Sequence, residues 1–221
     1  HRSLRWHGMV QPDGSIIELI EPNETLGEQA ALFMDGRYPT YGMGTIPVHS
    51  VEVTTKDMEG LPDARGDSVR GILSSDYGID VGRVRVTLGY LIKADLQSEK
   101  LQRTVYDLFA DPIIEHGSCI GNLLDDANIF PEHPEAIIQV GFKPGVTDNA
   151  GQAGLDGLTT LFPDLEEAWV ATTRTYMFWG LPENITAEQL SAPLHNPMIE
   201  RCVVAGSDAC AEGEWPSLPF P

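Results

Sequence analysis

Short runs in which apolar and polar side chains alternate mark the strands of this chain. Val51 and Val53 flank Glu52, and Ile138, Val140 and Phe142 alternate with Gln139 and Gly141. A period of two places successive side chains on opposite faces of a half-buried strand. A longer alternation sets Val84, Val86, Leu88, Tyr90 and Ile92 against Arg85, Thr87 and Gly89, which suits a bent strand or a hairpin about Gly89. Its counterpart runs from Trp169 to Trp179. Between these runs the spacing becomes helical: Val69, Ile72 and Leu73, then Leu101, Val105, Leu108 and Phe109, then Leu155, Leu158 and Phe162. Asp63 and Asp148 precede two of these helices and are expected to cap them, because a carboxylate there accepts hydrogen bonds from the free amides of the first turn. Thr186-Ala187-Glu188-Gln189 has the form of a capping box, and Pro193 keeps that helix short. Asp111-Pro112 and Asn196-Pro197 end the helices before them, since a residue ahead of proline is pushed out of helical geometry. Ile113-Ile114 and Met198-Ile199 are then expected to open the last strands.

The pattern occurs twice. Gly60-Leu61-Pro62-Asp63-Ala64-Arg65-Gly66 aligns with Gly145-Val146-Thr147-Asp148-Asn149-Ala150-Gly151, and Asp111-Pro112-Ile113-Ile114-Glu115 aligns with Asn196-Pro197-Met198-Ile199-Glu200, both at an offset of 85 positions. Two separated motifs with one offset point to a duplication. The expected fold is α+β, with two tandem β-α-β-β-α-β units whose antiparallel sheets carry helices on one face and are related by a pseudo-twofold axis. The expected divisions are an extension over 1–46, repeat one over 47–118, a linker over 119–134 rich in Gly, Pro and Asp, repeat two over 135–206, and a tail over 207–221. In the extension, a turn at Pro12-Asp13-Gly14 before Ile16-Ile17-Glu18-Leu19-Ile20 suggests a hairpin or edge strand, and Tyr41-Gly42-Met43-Gly44 a connector.

Composition narrows the functional classes. With 33 acidic against 14 basic residues the formal charge is -19, which repels nucleic-acid backbones and anionic lipid surfaces. Only Lys56, Lys93, Lys100 and Lys143 represent lysine, a composition that suits a protein kept soluble in high salt or one kept soluble by net charge alone. No apolar stretch approaches the roughly 20 residues of a membrane helix, so no membrane association is expected. Cys119, Cys202 and Cys210 are too few and too scattered for a disulfide framework or a zinc site, which fits a reducing, cytoplasmic setting.

Candidate chemistry is sparse. The turn from Lys143 to Gly151 resembles a phosphate loop, yet capping of the following helix accounts for it. Asp125-Asp126 lacks a third ligand for a cation. Cys119 near His116 suggests a thiolate pair but lacks an orienting group. Trp169, Phe178 and Trp179 suit core or repeat-to-repeat packing as well as a binding surface. No GxxxxGK[ST], GxSxG or HExxH motif occurs, and no catalytic, cofactor-binding or metal-binding residue is assigned.

Lys143-Pro144-Gly145-Val146-Thr147-Asp148-Asn149-Ala150-Gly151, preceded by Ile138-Gln139-Val140-Gly141-Phe142, is similar to the strand-turn-helix opening of PurS and of the PurS-like domains fused in front of phosphoribosylformylglycinamidine (FGAM) synthetase. Leu108 to Glu115 and His195 to Glu200 resemble that family's helix-to-last-strand junction. The likeness covers roughly 48–118 and 135–204. A free-standing PurS is one unit that pairs with a second chain, whereas this chain carries both units, like the tandem region of the larger, fused synthases; the first 46 residues and Asp57-Met58-Glu59 depart from the pattern. The resemblance implies a non-catalytic bridging part in de novo purine biosynthesis. It would hold an FGAM synthetase unit and a glutaminase together for ammonia transfer, with ATP, magnesium and glutamine used by those partners and no cofactor on this chain. The candidate partner contacts are Asp63, Arg65, Gly66, Lys143, Asp148, Asn149, Gly151 and Trp215. The alternative is a tandem α+β module that binds a small metabolite and regulates an attached enzyme.

Overall fold

The computed structural model describes residues 7–10, 16–19, 46–57, 63–120 and 123–221. The chain divides into two compact units, His1–Ile46 and Pro47–Pro221. In the first, strands β1 (His7–Val10) and β2 (Ile16–Leu19) form an antiparallel pair with Val10 opposite Ile16. The turn expected at Pro12-Asp13-Gly14 and the connector at Tyr41 to Gly44 lie outside the described residues.

The second unit is built on one antiparallel sheet. In chain order it contains β3 (Val48–Thr55), α1 (Ala64–Tyr77), β4 (Arg83–Ala94), α2 (Ser98–Thr104) continuing into a π-helical turn (Val105–Phe109), and β5 (Glu115–Ser118). After a 3-10 turn at Leu123–Asp125 come β6 (Ala136–Phe142), α3 (Asn149–Leu161), β7 (Ala168–Trp179), α4 (Ala187–Leu194), β8 (Glu200–Ala205) and α5 (Ser207–Ala211). The strand order is β5-β3-β4-β7-β6-β8. Each half therefore has its first strand between its third and its second, and the two halves join where β4 runs antiparallel to β7. No described helix is long and apolar enough to cross a membrane.

Three expectations are corrected here. Each half runs β-α-β-α-β, because β4 is one unbroken strand rather than a hairpin about Gly89. It pairs with β7 along its whole length, from Arg83 opposite Trp179 to Ala94 opposite Ala168, which leaves no place for a turn. That pairing also merges two expected sheets into one. Gly89 instead permits close strand contact, since a Cβ there would lie 2.2 Å from the Thr173 Oγ1. The last strands begin at Glu115 and Glu200, and Ile113-Ile114 and Met198-Ile199 form turns. Lys56 N and Lys143 N donate to the Ile114 and Ile199 carbonyls at 2.8 and 2.9 Å, so strand pairing is already engaged at the end of those turns.

Strand alternation decides which side chains are covered. Val84 and Val86 of β4, Ile138 and Val140 of β6, and Tyr176 and Phe178 of β7 pack beneath Leu73 of α1 and Leu190 of α4. Val51, Val53 and Ile92 pack beneath Leu101 of α2 and Leu158 of α3. Four helices thus share one face of the sheet. The opposite face carries buried polar side chains, Thr54, Arg85, Thr87, Thr173 and Thr175, beside an apolar patch. The segment joining the halves and the tail cover part of this face: Leu123, Leu124, Phe130 and Cys210 cluster on Ile137, Met177 and Trp179. Phe178 is fully buried, whereas Trp169 is exposed and stacks beneath Lys93.

Glu52 ties that segment to the sheet, its Oε2 accepting from Leu123 N at 2.8 Å. Burial pushes its carboxyl above the usual range; the Leu123 amide opposes this shift and the charge of Asp125 adds to it. A carboxyl with a raised folded pKa binds its proton more tightly in the folded than in the unfolded state. Its contribution to stability is therefore lost as pH rises from the unfolded value, about 4.3, through the folded one. Glu52→Gln keeps an oxygen acceptor for Leu123 and removes the charge. Thermal melts across pH should show the variant more stable than the parent at pH 7, with the difference closing toward pH 4; a difference that is constant across that range would contradict the assignment.

Candidate functional site

The strand-turn-helix junctions of the two halves are built from the same contacts. Asp63 caps α1 by accepting from Gly66 N at 3.3 Å, and Asp148 caps α3 by accepting from Gly151 N at 2.8 Å. The glycines let each helix start lie directly on a strand: a Cβ at 66 would stand 2.0 Å from the Val84 carbonyl oxygen, and one at 151 would stand 2.5 Å from that of Val170. Capping is thus the local role of the Lys143 to Gly151 turn.

Beside each junction is a hydrogen-bonded turn. Asp111 Oδ1 accepts from Ile113 N at 2.8 Å, and Asn196 Oδ1 accepts from Met198 N at 3.0 Å. Glu115 Oε2 accepts from Asp111 N at 3.0 Å, and Glu200 Oε2 accepts from Asn196 N at 2.7 Å. Lys56 Nζ donates to the Pro112 carbonyl at 2.5 Å, and Lys143 Nζ to the Pro197 carbonyl at 2.6 Å. With their polar groups turned inward in this way, both turns present apolar side chains to solvent: Ile113 is 73% exposed and Met198 82%.

The junctions differ in charge and openness. In the first, Arg85 is buried and joins both ends of the loop: Nη1 donates to Asp57 Oδ1 at 2.5 Å, Nη2 donates to the Thr55 carbonyl, and Nε lies 3.3 Å from Asp63 Oδ2. Arg65 pairs with Glu115 at 2.9 Å. In the second, no cation among the described residues meets the cap; Asp148 Oδ2 accepts from Thr172 N at 2.6 Å and from Thr172 Oγ1 at 2.9 Å. A cleft of about 390 Å³ opens there, lined by Lys143, Asn149, Gln152, Trp169, Arg201 and Phe220 among others. Arg201 Nη2 donates to the Pro219 carbonyl at 2.5 Å, drawing the tail across the cleft.

Seven of the eight candidate contact residues fall into two groups. Asp63, Arg65 and Gly66 lie at one junction and Lys143, Asp148, Asn149 and Gly151 at the other; Trp215 lies apart, partly buried, with Nε1 donating to Asp125 Oδ1 at 2.7 Å. Asp125 therefore serves the tail, while Asp126 accepts from Asn128. Among the described residues no group of three or more His, Cys, Asp or Glu side chains is arranged to hold a metal ion.

At His116 and Cys119 the surroundings favour the neutral forms. Burial, aided by the charge of Lys56, lowers the imidazole below its ordinary value, and burial raises the Cys119 thiol. A side-chain contact between histidine and cysteine is made by His195 with Cys202, which sequence reasoning missed. The detectable signal was their placement on either side of the Asn196 to Ile199 turn, which folds the chain back.

No protein-family model matches this chain, and no curated protein matches it.

Proposed function

We propose that this chain is the non-catalytic, PurS-type bridging part of an FGAM synthase, holding a synthetase unit and a glutaminase in a fixed relation for ammonia transfer. The observation that supports this reading is the pair of matching junctions, with the same caps, the same buried glycines and the same apolar turns, in two halves joined through β4 and β7. A free-standing PurS unit pairs with a second chain, and here the two halves form one continuous sheet. Such a body offers its partners two similar surfaces in a fixed geometry, and positioning of reacting centres contributes strongly to rate without new chemistry. The partner surfaces in this reading are the turns around Asp63 to Gly66 and Asp148 to Gly151, with Ile113 and Met198 beside them. ATP, magnesium and glutamine belong to the partner units.

Reconstitution with synthetase and glutaminase provides the test. Omitting the chain should abolish glutamine-dependent synthesis while sparing synthesis from free ammonia, and Ile113→Asp with Met198→Asp should weaken assembly. Unchanged rates and unchanged assembly without the chain would refute the bridging role.

A second reading, a regulatory module for a small metabolite, is favoured by the cleft at the second junction alone. It requires ligand-dependent thermal stabilisation that Arg201→Ala abolishes, in the absence of any synthetase or glutaminase.

A further inference from the structure

His195 follows α4, and Cys202 lies on the edge strand β8. The His195 Nδ1 lies 2.7 Å from the Ser191 carbonyl oxygen. A carbonyl only accepts, so Nδ1 carries the hydrogen and Nε2 of the neutral ring keeps its lone pair. That lone pair faces the Cys202 Sγ at 3.7 Å. Nucleophile, base and orienting group are therefore aligned in the order that activates a thiol. Both side chains are partly exposed, and all three cysteines are free.

We propose that Cys202 is a reactive thiol, activated by His195, and the site at which a peroxide oxidises this protein. The thiol proton passes to His195 Nε2, and the sulfur attacks one peroxide oxygen. The O–O bond breaks, and the departing hydroxide takes the proton from the imidazolium. The products are a Cys202 sulfenic acid and water, with sulfur giving up two electrons to hydrogen peroxide. The surrounding charges are engaged elsewhere: Glu200 pairs with Arg174, Arg201 donates to the Phe142 and Pro219 carbonyls, and Glu188 sits in the first turn of α4. Across the sheet the neighbour of Cys202 is Val140. Burial raises the other two thiols, that of Cys210 to about 11, so they retain their protons at neutral pH. They serve as internal controls.

This inference is independent of the bridging reading. The 221-residue chain is treated with hydrogen peroxide at pH 7, sulfenic acid is trapped with dimedone, and the peptides are quantified by mass spectrometry; iodoacetamide rates are measured in parallel. Cys202 should react about tenfold faster than Cys119 or Cys210. His195→Gln should abolish that advantage, and Ser191→Ala, which keeps the orienting carbonyl, should preserve it. In urea the three wild-type thiols should react alike, which tests the effect of the fold without relying on a variant. Equal native rates for the three thiols, or an advantage that survives His195→Gln or urea, would overturn the proposal.

Discussion

Gly66→Ala is expected to lower the unfolding free energy by about 3 kcal/mol, the upper end of the usual cost of overpacking. The new methyl would stand 2.0 Å from the Val84 carbonyl oxygen, a backbone atom held in the central strand β4. Neither the strand nor the capped start of α1 can withdraw without breaking other bonds. Gly151→Ala should behave in the same way, with the Val170 carbonyl oxygen 2.5 Å from the added carbon. Gly71 is the control, since it lies within α1 and an added Cβ meets nothing within 4 Å. Alanine there should stabilise by about 0.5–1 kcal/mol, because glycine carries an entropic penalty inside a helix. Urea unfolding followed by tryptophan fluorescence separates the cases, and a Gly66→Ala protein as stable as the parent would disprove the close approach of helix and strand.

Arg85→Met should cost about 3 kcal/mol by the same measurement, the size expected when one member of a buried ion pair is removed. The Arg85 side chain is 3% exposed and that of Asp63 12%, so Asp63 would lose its counter-charge in a place that water scarcely reaches. Asp57 is 66% exposed and would be rehydrated, which keeps its share small. Arg85→Lys should recover only part of the loss, because one ammonium cannot reach Asp57, Asp63 and the Thr55 carbonyl together. Adding Asp63→Asn to Arg85→Met should recover part of it by removing the orphaned charge. If the double variant is no more stable than Arg85→Met, the stabilising role assigned to the Asp63 charge is wrong.

Much of the local architecture was legible in the sequence because it depends on neighbours along the chain. Alternation at Val51 to Val53 and Ile138 to Phe142 marked strands, and Asp63, Asp148 and Thr186 marked helix starts, since each acts on amides within three residues. The fixed offset between the two sets of motifs also lay in the sequence. It showed which glycines corresponded but not why glycine was needed, because the carbonyl oxygens facing Gly66 and Gly151 come from strands further along the chain. Ile113-Ile114 and Met198-Ile199 were misread as strand starts: an apolar pair after proline suits an extended segment, and the Asp111 and Asn196 side chains that fold these pairs into turns act through geometry that composition does not express.

The sequence by itself determined the α+β character, the helix caps and the acidic surface, because propensity, capping and charge are properties of residues and their immediate neighbours. Tertiary structure alone decided that β4 passes straight through Gly89, that one sheet spans both halves, that Arg85 is buried between Asp57 and Asp63, and that His195 faces Cys202. Each of these depends on strand register or on the folding back of a turn. Alternating side chains specify a face of a strand, and several partners satisfy that requirement equally well; only the packing of the whole chain selects one.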